Sequence, residues 1–180
     1  TSDHLFTPRE LRELTPEVGC AAPVVPQILS KCAADIVWAS EGLRDMGYTV
    51  FNLNLGCPSA TVTAKGKGAG LLQKPDALDA LLADVFTGSP IAVSLKSRIG
   101  YLAPEEFPRL LSIYRQYGAQ ELILHPRTRK EMYSGAVHMD AFALAAAGSP
   151  FPVVYNGDLF TAEDVLAFEA AHPETEAVML

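Results

Sequence analysis

Residues able to do chemistry recur at one kind of place in this 180-residue chain: each sits where a short apolar run gives out. They are Gln27, Asn54 with Cys57, Lys96 with Arg98, His125 with Arg127, and Asn156 with Asp158. An amide such as Gln27 both donates and accepts, an ammonium such as Lys96 stabilises negative charge, and an imidazole such as His125 serves a polar or anionic ligand. Singly, each has a plain structural job, since strand ends are often polar, most lysines are solvated and most histidines are hydrogen-bonded in place. Five successive strand ends carrying such groups become a site if the fold brings those ends to one rim.

The segment 52–72, NLNLGCPSATVTAKGKGAGLL, is the most distinctive. Gly56 permits a sharp bend and Pro58 bars continuation of the strand, so Cys57 is expected on a tight loop, where an exposed thiol can act as an acid. The alternative is a buried small hydrophobe, the commoner fate of a free cysteine. Lys65 and Lys67 with the glycines after them could bring ammonium groups and backbone amides to a phosphate. This is neither a Walker loop nor a GxGxxG turn, because no Gly-Lys-Ser/Thr follows and Leu71 stands where the last Gly would be.

The elements that must position these residues alternate. Short apolar or β-branched runs at 24–28, 49–54, 91–97, 121–125, 152–156 and 177–180 predict six strands. Helices are expected over 31–46, from Pro75 to Gly88, over 105–117, and after Thr161, an N-cap with Asp164 three residues on. This βα rhythm fits a doubly wound sheet or a (β/α)8 barrel, and polar residues at every strand end favour the barrel.

Composition bounds the partners. With 49% hydrophobic and 19% charged residues the chain is neither disordered nor fibrous. Its charge-free stretches are broken by Gly and Pro and fall short of the roughly 20 apolar residues of a membrane span. A net charge of −7 excludes a uniformly basic nucleic-acid binder, yet residues 65–130 hold 10 basic and 6 acidic residues, which leaves room for a local anion-binding face. Cys20, Cys32 and Cys57 show no CxxC pairing or zinc-ligand spacing, so no metal site and a reducing, cytoplasmic setting are expected.

Four blocks in order, NLNLGCPSATVTAKGKGAGLL, VSLKSRIGY, LILHPRTRKEMYSG and PVVYNGD, resemble the tRNA-dihydrouridine synthase family from about residue 23 to 180. The resemblance implies an FMN-bound TIM barrel that reduces the C5–C6 double bond of uridine in tRNA, with NADPH as reductant. It implies that Cys57 is the general acid that protonates C5 after hydride from reduced flavin N5 reaches C6. Gln27, Lys96, His125 and Asn156-Gly157-Asp158 match positions that hold FMN. Asn54, Arg98, Arg127, Lys65 and Lys67 are expected toward the RNA. One departure is Pro126, where the family commonly has glycine after the histidine.

A whole barrel takes about 250 residues. Residues 1–180 are therefore expected to form an incomplete α/β barrel domain of about six βα units, strands three to eight. The first strands, the phosphate-binding end and the family's helical tRNA-binding domain are expected outside it. Two rival readings are another FMN-dependent barrel oxidoreductase acting on a free pyrimidine, and a non-catalytic tRNA-binding protein that would have lost the Cys or Lys retained here.

Overall fold

The computed structural model describes residues 4–15, 24–173 and 175–180. Cys20 lies outside them. Five strands, β1 (Gln27–Ile28), β2 (Val50–Asn54), β3 (Ala92–Arg98), β4 (Leu122–His125) and β5 (Val153–Tyr155), form one sheet in the order β1-β2-β3-β4-β5. Every pairing is parallel. A doubly wound sheet reverses its strand order at a switch point, whereas here each strand lies beside its sequence neighbour, the arrangement of a (β/α)8 barrel. The described strands form an incomplete barrel.

The two faces of the sheet follow from the period of two along each strand. Phe51, Leu53, Val93, Leu95, Leu122, Leu124, Val153 and Tyr155 are buried in the main core, with the apolar stripes of α2 (Ala33–Asp45), α4 (Pro75–Gly88) and α5 (Phe107–Tyr114). The Ser97 hydroxyl meets the Tyr114 hydroxyl of α5 at 2.8 Å, and Tyr155 packs edge-on against Phe142 of α6 (Met139–Gly148), 5.1 Å between centroids. Helices thus cover this face. The alternate residues Asn52, Asn54, Ser94, Lys96, Ile123 and His125 take the other face.

Four predicted helices are present; α4 keeps the expected bounds, and α2 is slightly shorter than expected. Thr161 caps α7 (Ala162–Ala171): its hydroxyl accepts from Asp164 N at 3.1 Å, and the Asp164 carboxylate accepts from Thr161 N at 2.8 Å. The helix expected over 105–117 is shorter. The Glu106 carboxylate turns back to accept from the amides of Tyr101, Leu102 and Ala103, so a 3-10 turn over Pro104–Glu106 precedes α5, and the helix then tightens again after Tyr114. Three helices were not singled out from sequence. They are α1 (Pro8–Leu14), α3 (Ala60–Thr63) and α6.

Two predicted strands are corrected. The strand expected over 24–28 is only Gln27–Ile28, because Pro26 has no N–H to give and Val24 and Val25 stay exposed. The strand expected over 177–180 is reduced to a parallel bridge between Tyr155 and Val178. No helix among the described residues is long and apolar enough to cross a membrane.

Candidate active site

The C-terminal ends of the strands enclose a pocket of about 240 Å³ lined by Gln27, Asn54, Cys57, Lys96, His125 and Asn156, with Arg98 and Tyr133 among its other walls. Each of the first six was expected from sequence, and they come from the ends of all five strands. The pocket forms because consecutive parallel strands hand their last inward-facing residues to the same rim.

Neutral amides fix the pocket's order. Gln27 donates from Nε2 to Asn52 Oδ1 at 2.8 Å and accepts at Oε1 from Asn54 Nδ2 at 2.8 Å, which leaves one N–H and one lone pair of its amide for a ligand. Asn52 in turn donates to Ser94 Oγ at 2.8 Å. Asn54 Oδ1 accepts from the amides of Gly56 at 3.1 Å and Cys57 at 2.9 Å, so it shapes the turn that carries the thiol. Its expected contact with the base is left a single N–H.

The glycines after Cys57, which could offer amides to a phosphate, have a packing role in this structure. Residues Gly68–Gln73 form a 3-10 helix buried from Gly68 to Leu72, and Ala69 N donates to Cys57 O at 3.0 Å. At Gly68, where φ is +55°, a Cβ would lie 2.9 Å from both Cys57 Cβ and Cys57 O, and at Gly70 one would lie 2.8 Å from Thr63 O. Only glycine allows this approach beneath the cysteine loop. Lys65 is exposed and does not line the pocket, and Lys67 lines a neighbouring groove of about 410 Å³ that shares Gln27.

The basic side chains divide into two kinds. Lys96 reaches across the sheet to donate from Nζ to Asn156 Oδ1 at 2.6 Å, and burial, with the Arg98 charge, lowers its pKa to about 8. His125 is held neutral at physiological pH: burial first, then the charges of Arg98, Lys96 and Arg127, lower it to about 4. Its Nε2 is buried with no hydrogen-bond partner among the described residues. A buried polar atom without a partner is costly unless a ligand meets it.

Arg98 and Arg127, both expected toward the RNA, are hydrogen-bonded within the protein, and Arg98 also stands in the pocket wall. Arg98 is 2% exposed; it donates from Nε to Gly56 O at 3.0 Å and from Nη1 to Thr128 O at 3.0 Å and Met132 O at 2.6 Å. Arg127 is 1% exposed and makes a forked ion pair with Asp158, at 2.7 and 2.5 Å, while also donating to Gly135 O. The guanidinium holds the Asp158 carboxyl below its usual range. Asp158 is thereby occupied, and Gly157 is buried, a Cβ there lying 3.1 Å from Tyr155 Oη and 3.3 Å from Val137. Neither lines the pocket.

Sequence reasoning missed Asn52, Ser94 and Tyr133. Stepping back two residues from Asn54 and Lys96 would have found the first two, since period two keeps them on the same face. Tyr133 lies on a loop with no such register. No group of His, Cys, Asp and Glu that could hold a metal ion occurs among the described residues.

The sequence matches the dihydrouridine synthase family model over residues 2–180. It is 31% identical over 144 residues to a probable tRNA-dihydrouridine synthase of Rhodobacter capsulatus, covering 79% of this chain and 44% of that protein. It is 31% identical over 171 residues to tRNA-dihydrouridine(16) synthase of Cupriavidus necator, covering 89% and 52%. A third relative, tRNA-dihydrouridine synthase B of Shigella flexneri, is 32% identical over 135 residues, covering 74% and 42%. The chain spans about half the length of the curated relatives it matches. With the family match running through all five strands and the loops that enclose Cys57, this chain belongs to the dihydrouridine synthase family.

Proposed function

We propose that this chain carries the catalytic pocket of a tRNA-dihydrouridine synthase, which reduces the C5–C6 double bond of a uridine in tRNA with FMN as cofactor and NADPH as reductant. The observation that carries the reading is the convergence of the Cys57 thiol with Gln27, Lys96, His125 and Asn156 in one pocket. These residues suit a flavin. The free donor and acceptor of Gln27 match a pyrimidine edge, the unpartnered His125 Nε2 calls for a polar ligand atom, and the Lys96 ammonium favours negative charge beside it. FMN bound there would supply hydride to uracil C6, after being reduced by NADPH.

Cys57 supplies the other half of the reduction. Its thiol gives a proton to C5 of the uracil, so one hydride and one proton saturate the double bond. The Asn54 carbonyl holds the amides of Gly56 and Cys57, which fixes the thiol's carrier without engaging the sulfur. A positioned general acid contributes roughly 10²–10⁴-fold.

The test is spectroscopic. The purified protein should show an oxidised-flavin band that NADPH bleaches and undermodified tRNA restores, while free uracil and orotate do not restore it. Cys57→Ala should keep the NADPH step and lose dihydrouridine formation by roughly 10²–10⁴-fold. A colourless protein, restoration by free orotate, or full product from Cys57→Ala would reject the proposal.

A further inference from the structure

We propose that Arg129 binds a backbone phosphate of the RNA strand at the rim of the pocket, an inference that rests on the tRNA reductase reading above. The segment 65–130, with 10 basic residues against 6 acidic, contains five arginines. Four of them have at least one terminal nitrogen committed: Arg98 to backbone carbonyls, Arg109 to Asp76, Arg115 to Leu144 O and Arg127 to Asp158. Arg129 differs. It donates from Nε to Pro58 O at 3.1 Å, and its two terminal nitrogens, with four N–H groups between them, have no partner among the described residues.

The guanidinium is nonetheless held in place. Its Cζ lies 5.3 Å from the centroid of the Tyr101 ring, a cation resting on an aromatic face. Two backbone bonds tie the loops that carry the pair: Arg129 N donates to Gly100 O at 2.9 Å, and Lys130 N to Tyr101 O at 2.9 Å. The acids of these loops are engaged elsewhere. Glu106 takes the amides of Tyr101, Leu102 and Ala103, while Glu131 takes Thr128 and His138. No carboxylate among the described residues forms an ion pair with Arg129. Fixing a long cationic side chain costs rotamer freedom, and Arg129 is fixed without a counter-charge. Its open edge is thus arranged in advance for an anion, and a planar fork of N–H groups matches the paired oxygens of a phosphate.

The position indicates which phosphate. Pro58 follows Cys57 directly, so Arg129 is anchored to the loop that carries the thiol, yet it does not line the pocket. A uridine whose base is turned into the pocket leaves its ribose and phosphates at the rim, beside that loop. A phosphodiester of the strand meets Arg129 while the base meets Cys57. Phosphate contacts position a strand without reading its sequence, so Arg129 sets how firmly tRNA is held and leaves the choice of base to the pocket.

The experiment follows reoxidation of the NADPH-reduced, FMN-loaded protein by undermodified tRNA over a series of salt concentrations. In Arg129→Gln the half-saturating tRNA concentration should rise roughly tenfold, and its logarithmic dependence on salt should lose about 0.7–1 in slope. Arg129→Lys keeps the charge and loses the fork, so it should keep the wild-type slope and recover only part of the affinity. The rate at saturating tRNA, the NADPH step and FMN retention should stay within about twofold of wild type in both. An unchanged slope in Arg129→Gln, or an Arg129→Lys slope equal to that of glutamine, would overturn the proposal. A fall confined to the saturated rate would do the same, since Arg129 would then act through Pro58 on the thiol. An equal loss in FMN retention or in the NADPH step would assign the phosphate to a cofactor and overturn it too. Wild-type protein that tRNA does not reoxidise would overturn the function itself, and the inference with it.

Discussion

The two faces of one sheet meet opposite demands. On the helix-covered face, Phe51, Leu53, Val93 and Leu95 are sealed in one core with Leu78, Leu82, Val85 and Leu110, and the packing of these residues is apolar and shape-dependent. On the concave face, one residue away along the same strands, Asn52, Asn54, Ser94 and Gln27 are joined amide to amide and amide to hydroxyl. The first face stabilises the fold through area removed from water. The second contributes less stability per residue and more definition, because directional bonds leave few arrangements for the side chains that meet a ligand. Stability and chemistry are thus kept apart by the pleat itself.

Three substitutions or conditions probe that division, in decreasing order of expected effect. Phe51→Ala removes a fully buried ring from the helix side and should cost about 3–5 kcal/mol in urea unfolding. A cost below about 1 kcal/mol would mean that the outer face does not carry the fold. Asn52→Ala should cost about 1–2 kcal/mol, since it frees Gln27 Nε2 and Ser94 Oγ from one bond each. If it cost as much as Phe51→Ala, the distinction between the faces would collapse.

The smallest effect is one of pH. His125 titrates near 4 in the folded protein against an ordinary 6.5, so between these values the unfolded chain binds more protons. Stability should therefore fall as pH drops from 6.5 to 4. Comparing urea midpoints at pH 7 and 5 for wild type and His125→Gln isolates this contribution, which should vanish in the variant. An identical pH response in both would show that His125 does not resist protonation. Lys96 acts with the same sign at higher pH, its burial penalty easing as pH rises from about 8 toward 10.5.

The same division explains what could be read from the chain. Strand ends were legible because period two and a polar terminus are local signals, and they located Gln27, Asn54, Lys96, His125 and Asn156 in the pocket. Helix α7 was legible because its cap is written in two residues, Thr161 and Asp164. Helix α1 buries no residue fully, so it shows no apolar period, and its signal lies in Pro8 and the Thr7–Glu10 capping box. Helix α6 is rich in alanine, with a weakly marked apolar stripe.

The arginines were illegible for a different reason. Arg98 and Arg127 sit two residues apart from Lys96 and His125, at positions that look ready for an anionic substrate, and their real partners are backbone carbonyls and a carboxylate contributed by distant loops. A guanidinium's destination depends on which loops fold over it. Spacing carries no record of that. The packing of the glycines at 68 and 70 was illegible in the same way, since close approach to Cys57 and Thr63 is a tertiary requirement that reads like a phosphate turn.

Arg98 also acts as a ruler. Its guanidinium is a rigid plane, and two of its nitrogens bond Gly56 O on one side and Met132 O on the other. The spacing between the loop that carries the thiol and the loop that carries the aromatic ring is thereby set by covalent geometry within one side chain. Thermal breathing of the strands can tilt both loops together but has little power to pull them apart. Lysine, with its single flexible nitrogen, would keep the charge and lose the measurement.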